Sequence, residues 1–342
     1  MTALHAHATK SAEPVGSAEN GGPTRVLVLT NMYPTKSEPD FGSFVRDQVE
    51  DLRGLGVDVS VLSFDGRSDK RQYFVAARRL HGTLRRGSYD LVHAHYGLAG
   101  AVASVPLPTP VITTFHGSDA WVPWQRAVSW VVARRTQPIV VAPVIGASLG
   151  LSDAPVIPCA VDLDLFAPVD RSAARQSLGW PEDAPCLLFL AARNDRTKQK
   201  RKRVDVFDAT VDRLRRIVPR MFAGSLDGLS REEVALAMNA ADVSLMTSVW
   251  EGAPVAVKES LACQTPVVSV AVGDVAELLA GLPGCQIVPR DPEVLAKAVA
   301  RAFQGVGRDP RLREAMQVYG RRPIAERVLR VYGRLLARRF AR

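Results

Sequence analysis

Cysteine is scarce in this chain. Four stand in 342 residues, at 159, 186, 263 and 285, and no pair has metal-ligand spacing. That pattern excludes a disulfide-stapled scaffold and leaves reduced packing thiols. No run of about 18 apolar residues occurs, so no segment reads as a membrane-spanning helix. Residues 1–24 lack the continuous apolar core of a secretory signal and read as a disordered polar tail, in which His5 and His7 form a His-x-His pair without function. The expected location is the cytoplasm. Charge of one sign is not dominant: Lys+Arg 44 against Asp+Glu 35 gives +9. Such a balance permits contact with phosphates, anionic membrane or nucleic acid and selects none of them. What the chain does have is 47% hydrophobic residues, enough for large cores, and a length of about two domains.

The first half alternates buried-type strands with helices. Arg25–Thr30 is a continuous apolar run suited to a strand buried on both faces. A loop follows to Gly42, then a helix over Ser43–Leu52 with Ser43 as its N-cap, then a strand over Val57–Phe64. This order predicts a doubly wound parallel sheet, with ligands bound beyond the carboxyl ends of its strands. Gly42 is at such an end. Arg71–Leu84 reads as a basic helix and Tyr89–Ala94 as a strand running into His93-Ala94-His95-Tyr96-Gly97. His93 and His95 share a sheet face, and with no carboxylate or Cys beside them they read as a polar strand end near the cleft rather than a metal pair. The strand Val111–Thr114 leads directly into Phe115-His116-Gly117-Ser118-Asp119, which aims His116 at the cleft. Trp121, Trp124 and Trp130 interleave with Arg126, Arg134 and Arg135; such a helix can rest on a membrane surface or simply cover the core.

The second half opens with the buried-type strand Cys186–Ala191, followed by Arg193 and a loop carrying Arg196, Lys198, Lys200, Arg201, Lys202 and Arg203. A basic run is usually solvated or a nucleic-acid patch, but this one joins a strand end to a helix start, where a phosphate is favoured. Ile217–Ala223 reads as a strand ending in Gly224, a candidate base-binding edge. Trp250–Pro266, WEGAPVAVKESLACQTP, is a loop and then a helix over Val255–Ala262. Glu251 and Glu259 bracket the free N–H groups of that helix start at Gly252, Ala253, Pro254 and Val255. Carboxylates accept from sugar hydroxyls, and helix N-termini attract phosphate. A lone Glu-x7-Glu would otherwise be a solvated helix face.

The Glu251–Pro266 stretch resembles the nucleotide-sugar motif of the retaining glycosyltransferases of family 4, which have the GT-B fold. Glu251, Gly252, Glu259, Ala262, Pro266, Val267, Val268, Gly273 and Glu277 fall on that motif, while Ser260 and Gln264 depart from it. Other segments resemble the family in the correct order. They are the loop at Gly42, the His116–Asp119 segment, Ile157–Pro168 with Cys159-Ala160 in place of Asn-Gly, the basic loop and Asn239–Gly252. The resemblance implies that Arg193 and Lys202 bind the donor diphosphate, with Lys198 or Lys200 as alternatives to Lys202 in the lengthened loop. It also gives Gly42 and Gly252–Val255 diphosphate contacts, Glu259 the ribose, and Glu251 the donor sugar. His116 would lie near the reacting carbon, and Asp119 would organise its loop or touch acceptor. Asp162-x-Asp164 is in a linker and reads as structural.

The expected architecture is therefore α/β, two Rossmann-like doubly wound domains facing a cleft. Residues 25–168 form the acceptor side, 169–323 the donor side, and 324–342 a basic helix crossing back to the first domain. Only about 40 residues separate the basic loop from the Glu251 segment, so the second domain looks trimmed. The implied activity is metal-independent, retaining transfer of a sugar from a nucleotide-diphosphate sugar, with no cofactor and no nucleic acid. The acceptor class stays open among glycan precursors, lipid-linked acceptors and small natural products, and the basic surface allows peripheral contact with an anionic membrane. Two rival readings are a nucleotide-sugar epimerase of the same fold and a non-enzymatic binder of nucleic acid or anionic surfaces.

Overall fold

A computed structural model describes residues 23–36, 38, 41–104, 108–305 and 307–340. The expected tail lies outside these residues apart from 23 and 24. The first half runs β1 (Arg25–Thr30), α1 (Ser43–Gly54), β2 (Asp58–Ser63), α2 (Gln72–Arg86), β3 (Leu91–His95), α3 (Gly97–Ala103) and β4 (Val111–Phe115). It continues with α4 (Ser118–Trp121), α5 (Pro123–Ala133), β5 (Gln137–Val140) and α6 (Pro143–Leu149). The second half runs α7 (Arg171–Leu178), β6 (Cys186–Phe189), α8 (Gln199–Lys202), α9 (Val204–Ile217), β7 (Phe222–Gly224), α10 (Arg231–Ala240) and β8 (Val243–Met246). Then come α11 (Val255–Ala262), β9 (Val267–Ser269), α12 (Val275–Leu279), β10 (Gln286–Ile287), α13 (Pro292–Phe303), α14 (Pro310–Met316) and α15 (Arg321–Phe340).

Each half holds one five-stranded sheet, ordered β2-β1-β3-β4-β5 and β10-β9-β8-β6-β7, and every pairing is parallel. The reason is visible in β1. Val26 and Val28 enter the core beneath α1 and α15, while Leu27 and Leu29 enter the opposite core beneath α2 and α3. Both faces are covered, as a parallel sheet requires. The strand order reverses between β1 and β3 in one sheet and between β6 and β8 in the other. Crevices at such reversals are where doubly wound sheets bind ligands.

Three local expectations change. Ser43 is not the cap of α1: Gly42 occupies the N-cap at φ 75°, and a Cβ there would lie 2.5 Å from the Met32 carbonyl. Both the left-handed backbone and the close approach demand glycine. Ile217 ends α9 instead of opening a strand, and β7 begins only at Phe222. The basic loop folds into the short helix α8.

The C-terminal helix begins at Arg321 and returns to the first sheet, with Ile324, Val328, Val331 and Tyr332 in the core under β1 and α1. Arg321 ties it there through Asp51 at 2.6 Å and Asp162 at 3.2 Å. Asp162 Oδ1 also accepts from the backbone of Asp164 and Leu165, so the Asp162-x-Asp164 pair is a structural turn. No helix among the described residues is long and apolar enough to cross a membrane.

Candidate active site

The two halves meet where β4 and β8 end. A Cβ on Gly252 would lie 2.2 Å from the His116 carbonyl oxygen, and one on Gly273 would lie 2.2 Å from the Gly252 carbonyl oxygen. Ala253 packs into the first half's cluster with Phe115, Ala120 and Ile145. The loop before α11 is thus seated on the loop after β4. Pro254 is its N-cap, one position earlier than a first-turn proline.

Asp119 shapes the β4 loop. It is 1% exposed, and its oxygens accept from the backbone N–H of Gly97 at 2.7 Å, His116 at 2.6 Å and Gly117 at 3.4 Å. Burial raises its pKa, with those donors working against the rise. Of its two expected roles, this geometry shows the organising one.

His116 is wrapped by other rings. Its Nε2 is 3.1 Å from His95 Nδ1, its Nδ1 is 3.9 Å from Cys159 Sγ, and Phe44 and Tyr96 lie at 5.0 and 4.7 Å between ring centroids. Beneath it His95 stacks on His93, which bridges Thr114 at 2.8 Å and Tyr332 of α15 at 2.7 Å. Burial pushes His95 down to about 3. It holds His93 and His116 well below the ordinary imidazole value, with neighbouring rings adding to the effect. These histidines are neutral. Among the described residues His95 Nε2 has no hydrogen-bond partner, and His95 lines a pocket with Asp47, Gln48, Asp51 and Arg231, so His95 as well as His116 faces the cleft.

In the second half, Glu251 is 8% exposed and held between two cations. Its Oε2 accepts from Arg201 at 2.7 Å and its Oε1 from Lys202 at 2.7 Å. Burial alone would raise the Glu251 pKa, but Lys202 and Arg201 outweigh it and the net shift is downward. Lys202 is lowered, since burial exceeds the help of Glu251. Arg193 is elsewhere. Its guanidinium pairs with Asp208 at 2.6 Å near the Phe207 ring, with both charged side chains nearly half exposed. Lys198 turns back to Asp195 at 2.7 Å and Arg203 to Asp205 at 2.7 Å. Much of the basic loop is thus neutralised by its own carboxylates.

Glu259 is 3% exposed and pairs with Arg231, the first residue of α10, at 2.7 Å. Burial raises its pKa despite Arg231. Lys258, fully buried beside it, pairs with Asp274 at 2.8 Å and ties α11 to the Gly273 loop. Gly224 ends β7 and packs against the Trp180 ring, which lies 2.6 Å from where its Cβ would be. Gly42 sits at the start of α1, whose later residues Asp47, Gln48 and Asp51 line the His95 pocket.

The structure therefore brings His116, Asp119, Gly252, Ala253 and Glu251 together with Lys202, and sets Glu259 on α11, the helix that follows the Glu251–Pro254 loop. Arg193 pairs with Asp208 rather than with Glu251. Arg201 and Arg231 are residues beside the two glutamates that sequence reasoning did not single out, while His95 reads from the sequence only as part of a polar strand end near the cleft. Arg201 was hidden in a run of six like charges. The Ser230-Arg231-Glu232-Glu233 capping box marked a helix start but not its facing partner.

Two parallel-sheet halves closing on such a cleft define the GT-B class of glycosyltransferases. Residues 24–165 match the family model described as Glycosyltransferase Family 4, and residues 196–304 match Glycosyl transferases group 1. A D-inositol 3-phosphate glycosyltransferase of Actinosynnema mirum is 30% identical over 283 residues, 67% of this chain and 67% of that protein. A Bacillus subtilis protein named as a teichuronic acid biosynthesis glycosyltransferase is 24% identical over 357 residues, 81% of this chain and 88% of its own. Among solved structures, sucrose-phosphate synthase of Thermosynechococcus elongatus has TM-score 0.73 at 20% identity, covering 92% of this chain and 99% of that one. Anabaena HepE, solved with UDP-glucose, has TM-score 0.61 at 15% identity over 93% and 99%. The structural likenesses carry the fold, and the sequence matches carry the family. The chain belongs to glycosyltransferase family 4 and is a glycosyltransferase.

Proposed function

We propose that the protein transfers a sugar from a nucleotide-diphosphate sugar to an acceptor with retention at the anomeric carbon. The observation that carries this reading is the Glu251–Lys202 pair set beside the contact of Gly252 with His116. It supplies a cation for a leaving phosphate, a carboxylate for donor-sugar hydroxyls and a neutral imidazole, all at the junction of two halves. Glu259 and Arg231 offer ribose and phosphate-side contacts two helical turns away. A buried ammonium stabilises the departing diphosphate electrostatically without a metal. The crystallised HepE complex with UDP-glucose supports a nucleotide sugar as donor. The reading is tested by thermal shift with a panel of nucleoside diphosphates and their sugars. One of them is expected to raise Tm by several degrees at saturation, because a ligand that binds only the folded state stabilises it. Lys202→Gln is expected to abolish most of that shift, and no shift with any member would end the reading.

The same reading includes a docking face for an anionic bilayer. On α2, Phe74 and Val75 are exposed among Arg71, Arg78, Arg79, Arg85 and Arg86; on α5, Trp124, Trp130 and Val131 are exposed among Arg126, Arg134 and Arg135. Both helices flank α3, and neither contains an acidic residue. Aromatic and aliphatic side chains on a basic face fit an anionic lipid surface. Flotation is expected with vesicles of phosphatidylcholine and phosphatidylglycerol, and to be lost with phosphatidylcholine alone or in Phe74→Ser/Trp130→Ser. Equal flotation in all cases would remove the face.

A further inference from the structure

Family resemblance points to an arginine at position 193 as the companion of Lys202, yet that guanidinium is engaged by Asp208 at 2.6 Å on the exposed side of α9. The cation beside Lys202 is Arg201. Its placement does not depend on its side-chain bond to Glu251. The Arg201 carbonyl accepts from Val249 N–H at 2.8 Å, and the Thr247 hydroxyl donates to the Lys202 carbonyl at 2.7 Å. Main-chain and hydroxyl bonds thus staple the end of α8 to the segment that carries Glu251. Arg290 fixes that segment further, donating to the Thr247 carbonyl at 3.0 Å and the Ser248 carbonyl at 2.6 Å. The Arg201 guanidinium also lies 5.0 Å from the Trp250 ring. Two cations are therefore held by the backbone against one carboxylate, and both of its oxygens are occupied.

We propose that Arg201 is the second diphosphate-binding cation, and that Glu251 is an internal stand-in for the diphosphate, displaced when donor binds. This deepens the donor-binding reading above and rests on it. A single carboxylate carries one negative charge against two positive ones. A pyrophosphate brings more charge and several acceptor oxygens, and an arginine fork receives it in two parallel bonds. On exchange, Glu251 leaves the cations and its oxygens become free to accept from hydroxyls of the donor sugar. Before exchange, it spares two partly buried cations from standing unpaired, which is the costly state for buried charge. The same carboxylate thus guards the empty site and serves the filled one.

The stand-in role makes a prediction opposite to that of an ordinary ligand residue. Glu251→Gln removes the competing charge, so it is expected to tighten nucleoside diphosphate binding several-fold while transfer is lost. Arg201→Gln is expected to weaken binding about tenfold or more, the scale of a charged hydrogen bond. Arg201→Lys should recover part of that loss, and Arg193→Gln should change affinity less than about threefold, as exposed ion pairs do. Calorimetric titration of each purified variant with UDP, GDP, ADP, CDP and dTDP reads these shifts, with Lys202→Gln as the reference for a lost phosphate cation. If Lys202→Gln and Arg193→Gln weaken binding and Arg201→Gln does not, the Arg201 role is overturned. Weaker or unchanged binding in Glu251→Gln overturns the exchange. Wild-type protein that binds none of the five overturns the donor reading itself, and this proposal with it. Free-protein Tm is measured for each, and should Arg201→Gln not fold, Arg201→Lys decides, since affinity equal to wild type there rules out the fork.

Discussion

Lowering the pH from about 7.5 to about 5.5 is expected to destabilise the folded protein measurably. The source is the buried column of His93, His95 and His116. Each is held below its ordinary value, His95 at about 3, chiefly because burial disfavours the imidazolium. The unfolded chain takes up a proton on each as pH falls below about 6.5, and the folded chain does not. The unfolded state then binds more protons, so stability falls with pH. The loss begins near the unfolded value and continues down toward the folded one. Over the stated interval the unfolded chain gains protons that the buried rings of the folded chain do not, so the loss grows steadily as pH falls. Asp51, Asp119 and Glu259 act in the opposite sense, because burial raises their pKa values and they take up protons earlier when folded. Chemical denaturation midpoints at the two pH values measure the difference, and His93→Gln with Tyr332→Phe should flatten the slope. A midpoint that is level or higher at the acid end would contradict the neutral column.

Gly252→Ala is expected to lower kcat about a hundredfold, the scale of a 1 Å misplacement of reacting groups. The Gly252 backbone is not in the left-handed region, so alanine suits it locally. The obstacle is across the cleft. A methyl there would lie 2.2 Å from the His116 carbonyl oxygen and 3.1 Å from Ile145 Cδ1. Backbone oxygen cannot swing aside as a flexible side chain can, so the two halves must separate. Diphosphate binding should change much less, because alanine keeps the main-chain N–H at 252 that the family resemblance gives to the diphosphate, and Arg201, Lys202 and Glu251 all belong to the second half. A fall in kcat with near-constant nucleoside diphosphate affinity is the expected signature. Equal loss of both would mean that the variant damages the diphosphate site instead of closure.

Much of this protein was legible along the chain. Continuous apolar runs such as RVLVLT could only be strands covered on both faces, and their alternation with helices required parallel sheets. The Glu251–Glu259 spacing about a helix start, and His116 after a buried strand, marked the cleft because local spacing alone puts such groups at strand and helix ends. Arg193 shows where that logic stops. It follows a strand just as the motif requires, but whether its guanidinium turns to the cleft or to Asp208 depends on the length of the inserted loop and the course of α8.

The sequence by itself determined the class of fold and the pair of glutamates flanking an anion-favouring helix start. Those follow from periodicity and from short-range chemistry, which a linear reading preserves. Tertiary structure alone decided that Arg201 pairs with Glu251 while Arg193 pairs with Asp208, that three histidines stack into a column against Tyr332, and that Gly252 meets the carbonyl of His116. Such contacts join residues up to 239 positions apart. Their energies depend on burial and on distances of a few ångströms, which exist only once the chain has folded.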